Sequence, residues 1–186
     1  MKKIFTIPIY LFFTSCAFTP AGHPDTMAYS DGETKKEFVV AGQIQYAESY
    51  CGGARPTDEM LMEITRARPY PGKKLFVIEG TKNSSGKEIA ATVISDSSGN
   101  FKLILPPGEY CIIQPDQRST AILSKYNSDK DDIDADPKCM EEWWNSCLYS
   151  FRVDSADING ISLFFQRRCF LPEGIPCLRY SGPMRP

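Results

Sequence analysis

Through the middle of the chain apolar and polar residues alternate with period two, the pattern of strands with one face buried and one in water. Val40, Gly42 and Ile44 fall on one face of a first such segment. Leu75 to Ile78 is instead a continuous apolar run ending before Gly80, which predicts a strand covered on both faces. Thr92 to Ser95 reads as a third strand. Phe101, Leu103 and Leu105 share a face of a fourth, and Tyr110 and Ile112 continue the pattern after Pro106-Pro107-Gly108. Ile161, Leu163 and Phe165 point one way on a late strand. Polar turn clusters at Asn83-Ser84-Ser85-Gly86 and Ser97-Ser98-Gly99-Asn100 divide these segments. Short strands separated by polar turns predict a mainly β chain folded as a β-sandwich.

Two stretches carry helical spacing. Thr57 is placed to cap a short helix with Asp58 and Glu59 in its first turn, and Met60, Leu61 and Ile64 then share a face expected to be core. A second helix is expected over Asp136 to Tyr149.

Asp96-Ser97-Ser98-Gly99-Asn100-Phe101 followed by Leu105-Pro106-Pro107-Gly108-Glu109-Tyr110 resembles the motif of carboxypeptidase-regulatory-like domains. The segment around Val40, Gly42 and Ile44 resembles the first strand of the same fold. The resemblance covers roughly 38–115 and implies a transthyretin-like (prealbumin-like) β-sandwich, here with short helical insertions and disulfides. In the motif Asp96 and Gly99 make a tight hairpin, Phe101, Leu105 and Tyr110 fill the core, and Gly108 lets the chain reverse. Such domains serve as accessory modules, so the resemblance implies a fold and no activity. The Tyr50-Cys51-Gly52-Gly53 segment and the closing Tyr180-Ser181-Gly182-Pro183 also resemble those of small bacterial envelope lipoproteins.

The amino end changes the picture. Lys2 and Lys3 precede a short, mostly apolar run from Ile4 to Phe13, far below the ~20 residues that span a bilayer. Phe13-Thr14-Ser15-Cys16 resembles the bacterial lipobox, which implies cleavage before Cys16 and acylation of that cysteine, palmitate among the chains. Polar residues then predominate to about residue 37, as in a solvated tether. The organisation expected is a signal peptide over 1-15 and a flexible tether over 16-37. A sandwich follows over 38-170 with an insertion at 117-157, and a carboxy-terminal tail over 171-186.

The formal charge is −2 and becomes more negative once the signal lysines are removed, which argues against a nucleic-acid partner. Of seven cysteines, one on lipid leaves Cys51, Cys111, Cys139, Cys147, Cys169 and Cys177. An even number in an exported chain predicts three disulfides. Within an intact helix Cys139 and Cys147 would sit about 12 Å apart along the axis, beyond the roughly 7 Å that a disulfide tolerates. A local Cys169–Cys177 bridge across the proline- and glycine-rich loop is favoured.

Little in the chain points to catalysis. The single histidine, His23, lies in the tether, which removes triad and zinc-hydrolase chemistry; no metal site and no cofactor are expected. Asp132, Asp134 and Asp136 copy the first ligand spacings of a calcium loop, but Pro137 and Trp143 stand where it needs glycine and glutamate, so a solvated acidic loop is expected. Trp143 and Trp144 point about 100° apart on a helix; both are expected to pack that helix onto the sandwich, the alternative being that one is an exposed candidate aromatic for binding a sugar or a partner. The function expected is that of a non-catalytic envelope lipoprotein, membrane-anchored through lipid, in the outer membrane. Its partner would be an unknown envelope protein, the alternative being a glycan bound as a carbohydrate-binding accessory.

Overall fold

The computed structural model of the protein describes residues 36–126 and 132–183. Cys16, the signal segment, His23 and the tether up to residue 35 lie outside these residues, as do Asp129 and Asp131. The strands are β1 (Phe38–Glu48), β2 (Arg68–Pro69), β3 (Lys74–Glu79), β4 (Ile89–Ile94), β5 (Asn100–Leu105), β6 (Gly108–Ile113), β7 (Ile133–Ala135), β8 (Tyr149–Val153), β9 (Ile158–Arg167) and β10 (Leu178–Tyr180). Three short helices, α1 (Asp58–Thr65), α2 (Ile122–Lys125) and α3 (Pro137–Asn145), and a 3-10 turn at Pro115–Arg118 complete the elements of the described residues. Among the described residues no helix is long and apolar enough to cross a membrane.

Two four-stranded sheets form the sandwich. In the first, β1 is central: β5 and β2 pair antiparallel along successive stretches of one edge, and β9 pairs parallel along the other. The second runs β4-β3-β6-β8, all antiparallel. Alternation aims Val40, Ile44, Phe101, Leu103, Leu105, Ile161, Leu163 and Phe165 inward from the first sheet. Leu75, Val77, Val93, Tyr110, Ile112 and Val153 meet them from the second. Each such buried side chain contributes on the order of 1.5–3 kcal/mol of transfer free energy, so this shared core holds the sheets together. The expected sandwich is therefore the observed one.

The hairpin motif forms as its chemistry requires. Asp96 Oδ1 accepts from the backbone N–H of Ser98 and of Asn100, both at 2.8 Å, and Gly99 has φ +77. That left-handed conformation suits glycine, and a Cβ there would also collide with the Ile44 carbonyl. Gly42 is needed for close approach: a Cβ would strike Ile161 of β9, beside the irregularity between Val40 and Gly42 in the β1–β9 register. The chain reverses between β5 and β6 at Pro106-Pro107, and Gly108, which opens β6, is not among the residues with positive φ. The Tyr110 hydroxyl lies 3.2 Å and its ring 3.3 Å from where a Cβ of Gly108 would be, and that hydroxyl donates to the Pro106 carbonyl at 2.9 Å.

Three further differences follow from tertiary packing. First, the Met60, Leu61 and Ile64 face does not enter a core. Helix α1 has no buried residue, Met60 and Leu61 being 52% and 41% exposed, although Thr57 does cap it. Second, α3 ends at Asn145 rather than Tyr149, because the following chain extends into β8, which completes the second sheet against β6. The stretch 117–157 thus contributes a sheet strand as well as coil and helix. Third, the segment after residue 170 is bound to the domain: β10 pairs with β7 in a small separate sheet.

The second sheet is covered on its outer face as well. Ile78, Cys111 and Ile113 point away from the shared core and are fully buried, so the apolar run of β3 is indeed enclosed on both faces. Beyond them lies a second core of Ile122, Tyr126, Met140, Trp143, Trp144, Ile175, Cys177 and Leu178, built from α2, α3 and the carboxy-terminal segment.

Candidate binding cleft

All six cysteines pair. The bridges are Cys51–Cys169, Cys111–Cys147 and Cys139–Cys177, with Cα atoms 5.5, 5.4 and 5.5 Å apart. Cys139 and Cys147 are not joined, although Cys147 lies beyond the end of α3 and so outside the helix whose rise argued against that pair. The local Cys169–Cys177 bridge does not form. Cys169 follows β9 and lies beside Tyr50 where β1 ends, whereas Cys177 leads into β10 and faces α3. The two cysteines therefore clamp the ends of one strap, residues 169–177, to different parts of the domain. Arg168 at its base donates to the carbonyls of Ile175, Pro176 and Leu178, which folds the strap back on itself.

The tryptophan pair is not an exposed platform. Trp143 and Trp144 are 8% and 6% exposed, both inside the second core. Helix α3 is flanked on two sides, by α2 and by the strap, so side chains 100° apart are both covered and neither is the exposed candidate aromatic. Buried amides tie this layer to the sandwich. Asn83 donates to the carbonyls of Gln117 and Trp144, both at 2.8 Å. Gln117 accepts from the Gln114 N–H at 2.9 Å and donates to Trp143 and Ser146 at 2.8 and 2.9 Å. Trp144 Nε1 is buried without a hydrogen-bond partner.

Asp136 caps α3 by accepting from the Cys139 N–H at 3.1 Å, and Asp134 lies in β7 opposite Arg179. The acidic spacing is thus absorbed by a cap and a strand. No group of three potential metal ligands is found among the described residues.

A cleft of about 440 Å³ opens where the strap crosses the sandwich. It is lined by Phe164, Phe165 and Gln166 of β9, by Trp143 and Leu148, and by Ile175 and Pro176 of the strap. The polar groups lining it are largely committed. Gln117 is saturated by backbone partners, Ser146 donates to Trp143 at 2.7 Å, and Arg168 serves the strap carbonyls. Phe164, 54% exposed, presents its ring at the mouth. Such a lining suits an apolar group better than a sugar, whose hydroxyls would need donors and acceptors of their own.

Next to the strap lies a charged aromatic cluster. Tyr70 donates to Glu173 at 2.5 Å, and Lys73 sits 3.4 Å from the same oxygen and 4.3 Å from the centre of the Phe165 ring. Arg167 stacks 4.2 Å from the Tyr46 ring centre. Burial, followed by the opposing influences of Arg167 and Glu173, holds the Tyr70 phenol above its usual range. The cluster joins the strap to β1 and β9, and Glu48 of β1 adds a second carboxylate, 3.6 Å from Arg167. Neither the strap nor the cleft was readable from the sequence. Both depend on disulfide partners far apart along the chain, and the only local sign was the density of proline, glycine and cysteine over 169–177.

No family model matches the chain, and no curated protein does. Among solved structures the chain matches a crystal structure of a DUF3823 family protein from Parabacteroides merdae, with 16% identity and a TM-score of 0.31. The match covers 69% of this chain and 45% of that one, so the chain spans less than half of that protein's length. A superposition at that level assigns neither fold nor role, and the mainly β architecture stands on the chain's own two sheets and three disulfides.

Proposed function

We propose that the protein is a non-catalytic, lipid-anchored envelope lipoprotein that binds a partner through the cleft under its disulfide-clamped strap. The cleft itself carries the reading: a concave, mostly apolar surface with an exposed aromatic ring at its mouth. The glycan-binding alternative rested on an exposed tryptophan, and the burial of both removes that support.

Two measurements test the proposal. Cys16→Ala should move the protein from the membrane fraction to the soluble one; retention of the variant together with absence of an acyl mass on the native chain would refute the anchor. A photo-crosslinking residue at position 164 should capture a specific envelope neighbour. The same residue at Ile104, exposed on the outer face of β5, should not; equal capture from both sites, or none, would count against the cleft.

A further inference from the structure

Strand β9, which lines the cleft, has a free edge. β9 is ten residues long and, among the described residues, pairs only with β1. Arg167 gives its carbonyl to the Ser49 N–H at 2.9 Å, so by strand alternation Leu163 and Phe165 also turn their backbone groups toward β1. Ser162, Phe164 and Gln166 therefore turn theirs outward. Independent bonds agree with this register, for Ile44 of β1 bonds to Gly99 and Tyr70 on the side away from β9.

Proteins usually blunt such an edge with lysine, proline or an inward-pointing charge. From Ile158 to Gln166 the strand carries none of these. The edge runs directly beside the cleft, which receives Phe164 and Gln166 from it. Charge adds the second element. Arg168 is the only ionisable residue lining the cleft, and among the described residues no carboxylate pairs with it; its partners are three neutral carbonyls.

We infer that the outer edge of β9 accepts an extended acidic peptide segment of a protein partner as an added strand, with one apolar side chain in the cleft and a carboxylate facing Arg168. The inference rests on the cleft reading above and names its ligand class. Unpaired N–H and C=O groups in alternation are complementary to an extended backbone, and the uncompensated guanidinium selects a negative group beside the apolar one. A fatty acid would match the cleft and the charge but not the edge.

The test is selection of random octapeptides displayed against the purified full chain with its disulfides intact. The expected peptides alternate apolar and polar residues and carry Asp or Glu. N-methylation of alternate amides in such a peptide should weaken binding about tenfold or more, while methylation of the intervening amides leaves it unchanged. Phe164→Glu, at an exposed side chain, should weaken the same peptides by a similar factor. Absence of enriched peptides, or indifference to the methylation pattern, would overturn the added strand. Titration of dodecanoic acid into the full chain separates the two levels. Saturable binding of the acid that Phe164→Glu abolishes, without the peptide result, leaves the cleft as a binding site and removes the strand. Absence of binding in both experiments removes both.

Discussion

Replacing Gln117 by leucine removes the amide that fastens the helical layer to the sandwich while keeping a side chain of similar size. Three short hydrogen bonds go with it, from the Gln114 N–H and to the carbonyls of Trp143 and Ser146, together with a long one of 3.5 Å to the Trp144 carbonyl, which Asn83 still serves at 2.8 Å. Their fates differ. The Trp143 carbonyl still receives the Ser146 N–H at 3.1 Å and hydroxyl at 2.7 Å, and Ser146 is exposed enough for water to reach its carbonyl. The Gln114 N–H has no substitute, because that residue is buried. An orphaned donor costs about 1–3 kcal/mol, and the two other lost bonds about 1 kcal/mol each. Leucine's larger apolar surface returns about 1 kcal/mol. The expected net loss is about 2–4 kcal/mol, a fall in Tm of roughly 5–15 °C for a domain of this size. Urea unfolding followed by tryptophan fluorescence and by far-UV circular dichroism reads it, with Gln117→Glu as a companion that cannot donate to the two carbonyls and should be worse at neutral pH. A leucine variant within about 0.5 kcal/mol of the native protein would refute the claim that this amide joins the layers.

Non-reducing peptide mapping should recover linked peptides for Cys51–Cys169, Cys111–Cys147 and Cys139–Cys177, and a linked Cys169–Cys177 fragment would contradict the strap. With separations of 118, 36 and 38 residues, chain entropy makes the first bridge worth about 5 kcal/mol and the others about 4 kcal/mol each, measurable in paired serine variants. Trp143→Ala and Trp144→Ala should each cost about 3–5 kcal/mol, and native fluorescence should resist quenching by acrylamide; ready quenching of either indole would contradict their burial. Burial raises the phenol pKa of both Tyr70 and Tyr110. The folded state thus holds these protons more tightly than the unfolded one. Their contribution to stability is complete below the ordinary tyrosine value of about 10 and is lost as pH rises from there through the folded-state values. Ultraviolet titration should show tyrosines ionising late, with one late group missing in Tyr70→Phe.

What the sequence determined by itself was local or periodic. Alternation fixes which face of a strand is buried, so Val40, Ile44, Phe101, Leu103, Leu105, Ile161, Leu163 and Phe165 were legible as core before any fold was known. Hairpin chemistry at Asp96 and Gly99 and the cap at Thr57 need only neighbouring residues. Tertiary structure decided whatever depends on which distant segments share a surface. Helix α1 looked like a core helix yet finds nothing that covers Met60 or Leu61, whereas α3, with tryptophans pointing apart, is enclosed from two sides. Cysteine parity is a property of the chain, but pairing depends on Cα distances of about 5.5 Å across 118, 36 and 38 residues of sequence. The strap, the cleft beneath it and the free edge of β9 all follow from that pairing and from the parallel placement of β9 on β1.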